Sequence, residues 1–184
     1  MSKPSKASST RELLVSTALA ILTEGEEILT MDAVVKRSGI SKGGLVHHFP
    51  TKEALLEAAV EESIRRYSEL IGTFDLSDIG SPEEIRAYIE GSLTPEIRKA
   101  SIDFAKGMLR SFGSDFRENT PVMAPWRKLF ASRLEQVRQS GDMQAFAKAA
   151  IRTLVVESFI VVDVLGLYTF TDTEMEAIKQ ELLR

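Results

Sequence analysis

At 184 residues the chain has room for one generous core, or for a small module joined to a larger one. With 43% hydrophobic and 27% charged residues it has the balance of a globular protein, and its lack of cysteine excludes disulfides and thiolate chemistry. A formal charge of −4 excludes a general attraction to polyanions, so any affinity for nucleic acid has to be local.

The first ten residues are polar and basic without an apolar stretch, which is not the pattern of a secretory signal. The longest apolar run, residues 154–167, contains Glu157 and Asp163 and is too short to cross a bilayer. A cytoplasmic protein with no membrane partner is expected.

Nearly every segment reads as helix, because the alternation of a half-buried strand is missing. The first helix is expected over residues 10–24, with Leu14, Ala18, Ile21 and Leu22 on one stripe and Gly25 as its stop. Thr30 suits the N-cap of a short helix over 31–38, with Asp32 in its first turn and Gly39 at its end. Ser41 caps a second short helix over 42–48, which Pro50 stops. Thr51 then caps a longer one over 52–71.

The remaining punctuation repeats this style. Ser81-Pro82-Glu83-Glu84 combines a capping box with proline at the first helical position. Thr94-Pro95 opens a helix ending near Gly113, and Thr120-Pro121 one that Ser140-Gly141 closes. Asp142 opens the most apolar helix, to about residue 166, and Thr171-Asp172-Thr173-Glu174 is a capping box for the last. The expectation is an all-α protein of about nine helices, with the first four in an N-terminal domain over residues 8–68 and the rest in a bundle over 69–184.

The functional signal lies in the first part. Helices of eight and seven residues joined by Gly39-Ile40-Ser41 are too short to stand alone. They read as a helix-turn-helix over about 30–49, with Val34, Val35, Ile40 and Leu45 between the pair and a third helix in support. From Ala33 to Lys52 the chain carries Lys36, Arg37, Lys42 and Lys52 with His47 and His48, and no acid. The arm before Glu12 adds Lys3, Lys6 and Arg11. A basic face of this kind on an acidic protein is what selective phosphate contact needs. Gly43 and Gly44 at the start of a helix cost roughly 1 kcal/mol each against alanine, and close approach of a DNA strand is the compensation expected.

Over residues 30–56, TMDAVVKRSGISKGGLVHHFPTKEALL resembles the DNA-binding signature of the TetR family, and the likeness extends over about 10–66. It departs from the family pattern at Val46, where a tyrosine is usual, and at Val35, where a small alanine is usual. The resemblance implies a recognition helix with Lys42, Gly43, Gly44, Val46 and His47 towards the major groove. Thr30, Ser41 and Lys52 then sit at helix starts suited to phosphates, Arg37 beside the backbone, and Lys6 and Arg11 as anchors of the arm and first helix. Val46 removes one phosphate contact and offers an apolar surface to a thymine methyl. Phe49 reads as core.

For the larger half the resemblance implies only a layout: a helical bundle that dimerises and holds a small ligand. The helix from Asp142 is apolar on most sides, so burial against a twin is expected. Two recognition helices about 34–36 Å apart are needed to read a palindrome, which requires a homodimer. Phe104, Met108, Phe112, Met123, Trp126, Phe130 and Phe159 either line a pocket for a small apolar ligand or form plain core. Glu157 and Asp163 need partners there, whether a ligand cation, an arginine such as Arg110 or Arg152, or water.

Two adjacent histidines without cysteine do not make a metal site, and no catalytic arrangement or cofactor motif is present, so an enzyme is not expected. The leading expectation is a repressor held on double-stranded operator DNA and released by a small ligand. The alternative is a DNA-bound adaptor that recruits a protein partner through its C-terminal domain.

Overall fold

The computed structural model describes residues 6–25, 27–71, 82–112 and 121–184. Among these there are nine α-helices and a short 3-10 turn, with no strand. They are α1 (Lys6–Glu24), α2 (Met31–Ser38), α3 (Lys42–His48), α4 (Lys52–Ile71), α5 (Pro82–Ser92), α6 (Pro95–Phe112), α7 (Ala124–Gln139), α8 (Met143–Val164) and α9 (Asp172–Leu182). Expected elements and observed ones agree in order and number, and α2, α3 and α4 agree residue for residue. The first helix starts four residues early, at Lys6. The expected caps Ser81 and Thr120, the stop at Gly113 and Lys3 of the arm lie outside the described residues.

The chain divides into two compact units. The first holds residues 1–64 and 103–125; the second holds 65–102 and 126–184. This is not a simple cut at residue 68: the second half of α6 packs with the N-terminal helices, and α4 and α6 each contribute residues to both units.

The core of the first unit is the apolar stripe of α1 meeting α2, α3 and α4. Leu14, Ala18, Ile21 and Leu22 are buried with Leu29, Val34, Leu45, Phe49, Leu55, Leu56, Ala59 and Val60. The last part of α6 is drawn into this unit by a close backbone crossing. A Cβ on Gly107 would stand 2.0 Å from the Leu22 carbonyl oxygen, so only glycine permits the approach. Ser111 follows one turn later and accepts the Leu29 N–H through its Oγ at 3.2 Å. Lys52 Nζ donates to the Ser111 carbonyl, placing a cation against the C-terminal end of α6, where the helix dipole favours it.

In the second unit α8 packs against α5, which also touches α9. Tyr88, Ile89, Leu93, Val156, Phe159 and Met175 are buried there. Asp142 caps α8 by accepting from the Gln144 and Ala145 N–H groups. Thr171 and Glu174 form a reciprocal capping box at α9, as the sequence predicts. Hydrogen bonds from the Thr171 backbone, the Tyr168 hydroxyl and the Thr171 hydroxyl hold the Glu174 carboxyl below its ordinary range. No described helix is long and apolar enough to cross a membrane.

Candidate nucleic-acid interface

The helix-turn-helix is built by its caps. Thr30, in extended conformation, accepts the Ala33 N–H at 3.1 Å and starts α2. Gly39 ends α2 at φ +71, a left-handed conformation costly to other residues, and its N–H closes on the Val35 carbonyl. Ser41 then accepts the Gly44 N–H at 3.2 Å and starts α3. Three side-chain or backbone choices within twelve residues thus set both helices and the turn between them. Val34 and Leu45 are fully buried at the crossing, and Val35 and Ile40 are half-buried.

The two glycines of α3 have different reasons to be there. A Cβ on Gly44 would come within 2.9 Å of the Ile40 side chain, so Gly44 serves the turn itself. A Cβ on Gly43 would meet nothing within 4 Å. No intramolecular contact accounts for Gly43, which sits on the exposed face with Lys42, Val46 and His47. These positions fall one face apart along the helix, as residues at i, i+1, i+4 and i+5 do. Leu45 and Phe49 occupy the opposite, buried face. Val46 is 43% exposed, an apolar side chain left in water. The His47 ring meets the His48 ring edge to face at 5.2 Å between centroids.

The remaining basic residues are sorted by their partners. Lys42 Nζ reaches Asp32 Oδ1 at 3.0 Å, a pair exposed on both sides and weak enough to exchange for a stronger anion. Arg37 pairs with Glu24 at the end of α1. Arg11 lies over the Phe49 ring, with its guanidinium carbon 5.2 Å from the ring centre. That cation–π contact fixes the arginine beside the end of α3. Lys6 opens α1. Lys52, expected to serve a phosphate, has its ammonium on the Ser111 carbonyl and is half-buried, so its side chain has structural work. The sequence contained no sign of that, because the partner is 59 residues away.

The aromatic set expected either to line a pocket or to form plain core is divided between the two units. Phe104 and Met108 are buried in the first unit, with Phe112 and Met123 also there; Trp126, Phe130 and Phe159 belong to the second. The reason is the crossing at Gly107, which turns this stretch of α6 towards α1. Of the seven, only Phe159 lines the cleft of the second unit, a space of about 300 Å³ counted with its open mouth. The other walls are largely polar: Tyr67, Ser92, Arg98, Glu157 and Asp163.

The two carboxylates of α8 find their partners in this cleft. Arg98 Nη2 donates to Asp163 Oδ2 at 3.1 Å, and both side chains are nearly buried. The Tyr88 hydroxyl donates to Glu157 Oε1 at 2.9 Å. The arginine is neither Arg110, which stands against Gly25, nor Arg152, whose Nε donates to the Leu182 carbonyl. Asp163 signalled a buried partner; which of several arginines supplied it depended on how α6 packs. Among the described residues no group of three or more His, Asp or Glu is placed to hold a metal ion.

An all-α fold with an exposed basic helix-turn-helix defines a class of DNA-binding protein, and comparison with known proteins shows what the chain is similar to. Residues 14–59 match the family described as bacterial regulatory proteins, tetR family. The chain is 31% identical over 83 residues to the HTH-type transcriptional regulator BetI 1 of Chromohalobacter salexigens, covering 45% of this chain and 41% of that protein. It is 27% identical over 84 residues to BetI of Stenotrophomonas maltophilia, covering 45% and 43%. The match thus spans about two fifths of the length of these relatives. The flavonoid-responsive regulator FrrA superposes with a TM-score of 0.60 at 22% identity over 95% of this chain and 92% of that one. A TetR family transcriptional regulator from Pseudomonas syringae pv. tomato superposes with a TM-score of 0.56 at 20% identity, over 94% and 92%. The N-terminal segment is thus similar to the tetR family and the all-α fold to that of two solved regulators, and the matched relatives are transcription regulators.

Proposed function

We propose that the protein is a homodimeric transcriptional regulator that binds a palindromic DNA operator as a repressor and is released from it by a small ligand. The observation that carries the DNA-binding part is the outer face of α3, where Lys42, Gly43, Val46 and His47 are exposed and no acid intervenes. Gly43 leaves room for a groove edge, Lys42 exchanges Asp32 for a phosphate or a guanine, and Val46 meets a thymine methyl. Gly44 keeps the turn tight. Arg11, Arg37 and Lys6 supply charge at the flanks, while the helix starts at Thr30, Ser41 and Lys52 offer backbone N–H groups to phosphates.

The dimer is supported by α8. Ile151, Leu154, Val161 and Leu165 are 59%, 62%, 55% and 61% exposed and follow one another after three, seven and four residues, an apolar stripe on one face with the exposed Ser158 at its middle. A stripe of that kind is covered by an equal one across a two-fold axis. The release by ligand is supported by the cleft of the second unit, and FrrA, which shares the fold, is described as flavonoid-responsive. In this reading the first unit is the DNA-binding domain and the second the regulatory one.

The test is fluorescence anisotropy with duplex DNA from upstream of the protein's own gene, across a salt series. The expected outcome is salt-dependent binding by a dimer, with a log–log slope that falls by about 1 in Lys42→Ala. Lys42→Ala with His47→Ala is expected to abolish sequence preference. Unaltered binding by that double variant would remove α3 as the reading element.

A further inference from the structure

One of the residues lining the cleft of the second unit has a buried polar atom without a partner. The residue is Arg98: while Nη2 is engaged by Asp163, the Nε–H is buried without an acceptor. Among the described residues it is the only buried side-chain nitrogen or oxygen left in this state. A guanidinium N–H that has lost water and gained no acceptor is a standing cost, removed by whatever brings an acceptor to it.

Three charged groups share the walls: Arg98, Asp163 and Glu157. An anionic ligand would place a third negative charge beside two carboxylates. A cationic ligand would face the guanidinium and bring no lone pair to Nε. The apolar part of the wall, Val156, Phe159 and Ile160, suits a flat hydrocarbon body. The cleft as it stands has enclosed room for about one water molecule, so a ligand enters by widening it.

We propose that this cleft takes a small uncharged molecule that presents a carbonyl oxygen to Arg98 Nε and lays an apolar ring against Phe159 and Ile160. The inference rests on the reading that a ligand governs this protein, and names the chemistry of that ligand. It also replaces the purely apolar compound expected from the sequence. The carbonyl satisfies the orphan donor while Asp163 keeps its hold on Nη2. Ser101, half-exposed at the same cleft, is the residue whose enlargement closes it.

The experiment uses the full chain and three probes on one ring: 4-hydroxyacetophenone (uncharged, with a carbonyl), 4-hydroxybenzoate (anionic) and tyramine (cationic). Binding is measured by calorimetry, and release by the anisotropy of labelled upstream DNA. 4-Hydroxyacetophenone is expected to bind at least tenfold more tightly than either charged probe. Arg98→Lys, which keeps a cation opposite Asp163 but loses the Nε edge, is expected to weaken it at least tenfold with little change in melting temperature. Ser101→Leu is expected to block it while leaving DNA affinity intact. Tighter binding of tyramine or 4-hydroxybenzoate, no heat with any of the three, or binding untouched by both variants overturns the proposal. Binding as expected with no effect on the DNA complex upholds the ligand class and overturns only the release by ligand.

Discussion

The outer face of α3 and the outer face of α8 are both left open by the chain, yet they are open for opposite reasons. On α3 the exposed groups are an ammonium held by Asp32, an imidazole, a glycine and one valine, and the polar ones are satisfied by water or by that exposed carboxylate. On α8 they are Ile151, Leu154, Val161 and Leu165, which water cannot satisfy. The first surface tolerates solitude and gains specificity from it. The second suits the proposed dimer, because large aliphatic side chains gain by being taken out of water. Two kinds of exposure thus separate the proposed DNA-reading surface from the proposed assembly surface.

The largest expected effect breaks the second surface. Leu154→Lys with Val161→Lys places two ammonium groups in the stripe, and the dimer is expected to become a monomer by light scattering, with operator affinity lost because one half-site contact cannot hold alone. If the double variant remains a dimer, the stripe is not the interface. Next in size is Gly107→Ala. The methyl group would overlap the Leu22 carbonyl, and nothing there is the flexible tip of a side chain. A loss of about 3 kcal/mol in chemical denaturation is expected, at the upper end of overpacking costs; an unchanged midpoint would mean that α6 and α1 do not cross so closely. The smallest is Ser41→Ala, which removes the cap of α3 and is expected to cost about 1 kcal/mol. In Ser41→Gly the loss should shrink to a few tenths, and a difference between the two variants in thermal melts reports the cap itself.

The caps explain why the first unit was so legible. Thr30, Gly39, Ser41 and Thr51 act within three or four residues of where they stand, so their effect is written in consecutive letters. The exposed side of α3 was legible for the same reason: once α3 is bounded, its periodicity places Leu45 inside and Lys42, Val46 and His47 outside. The cleft was not legible. Its walls come from α4, α5, α6 and α8, and of the residues that looked like a lining only Phe159 stands there, while Phe104 and Met108 are buried in the first unit. The hint that was available, a pair of carboxylates on an apolar helix, told of a buried partner and not of its identity.

Local hydrogen bonding and helical periodicity therefore settled the helices among the described residues, the position of the turn and which side of α3 stays exposed, all from the amino-acid order. Tertiary packing decided that α6 belongs partly with the N-terminal helices, that Lys52 is spent on the Ser111 carbonyl, and that Arg98 is the arginine Asp163 meets. The physical reason is range. Caps and periodicity act across one helical turn, whereas a backbone crossing such as that of Gly107 over Leu22 depends on the shapes of two helices 85 residues apart in sequence (107 − 22).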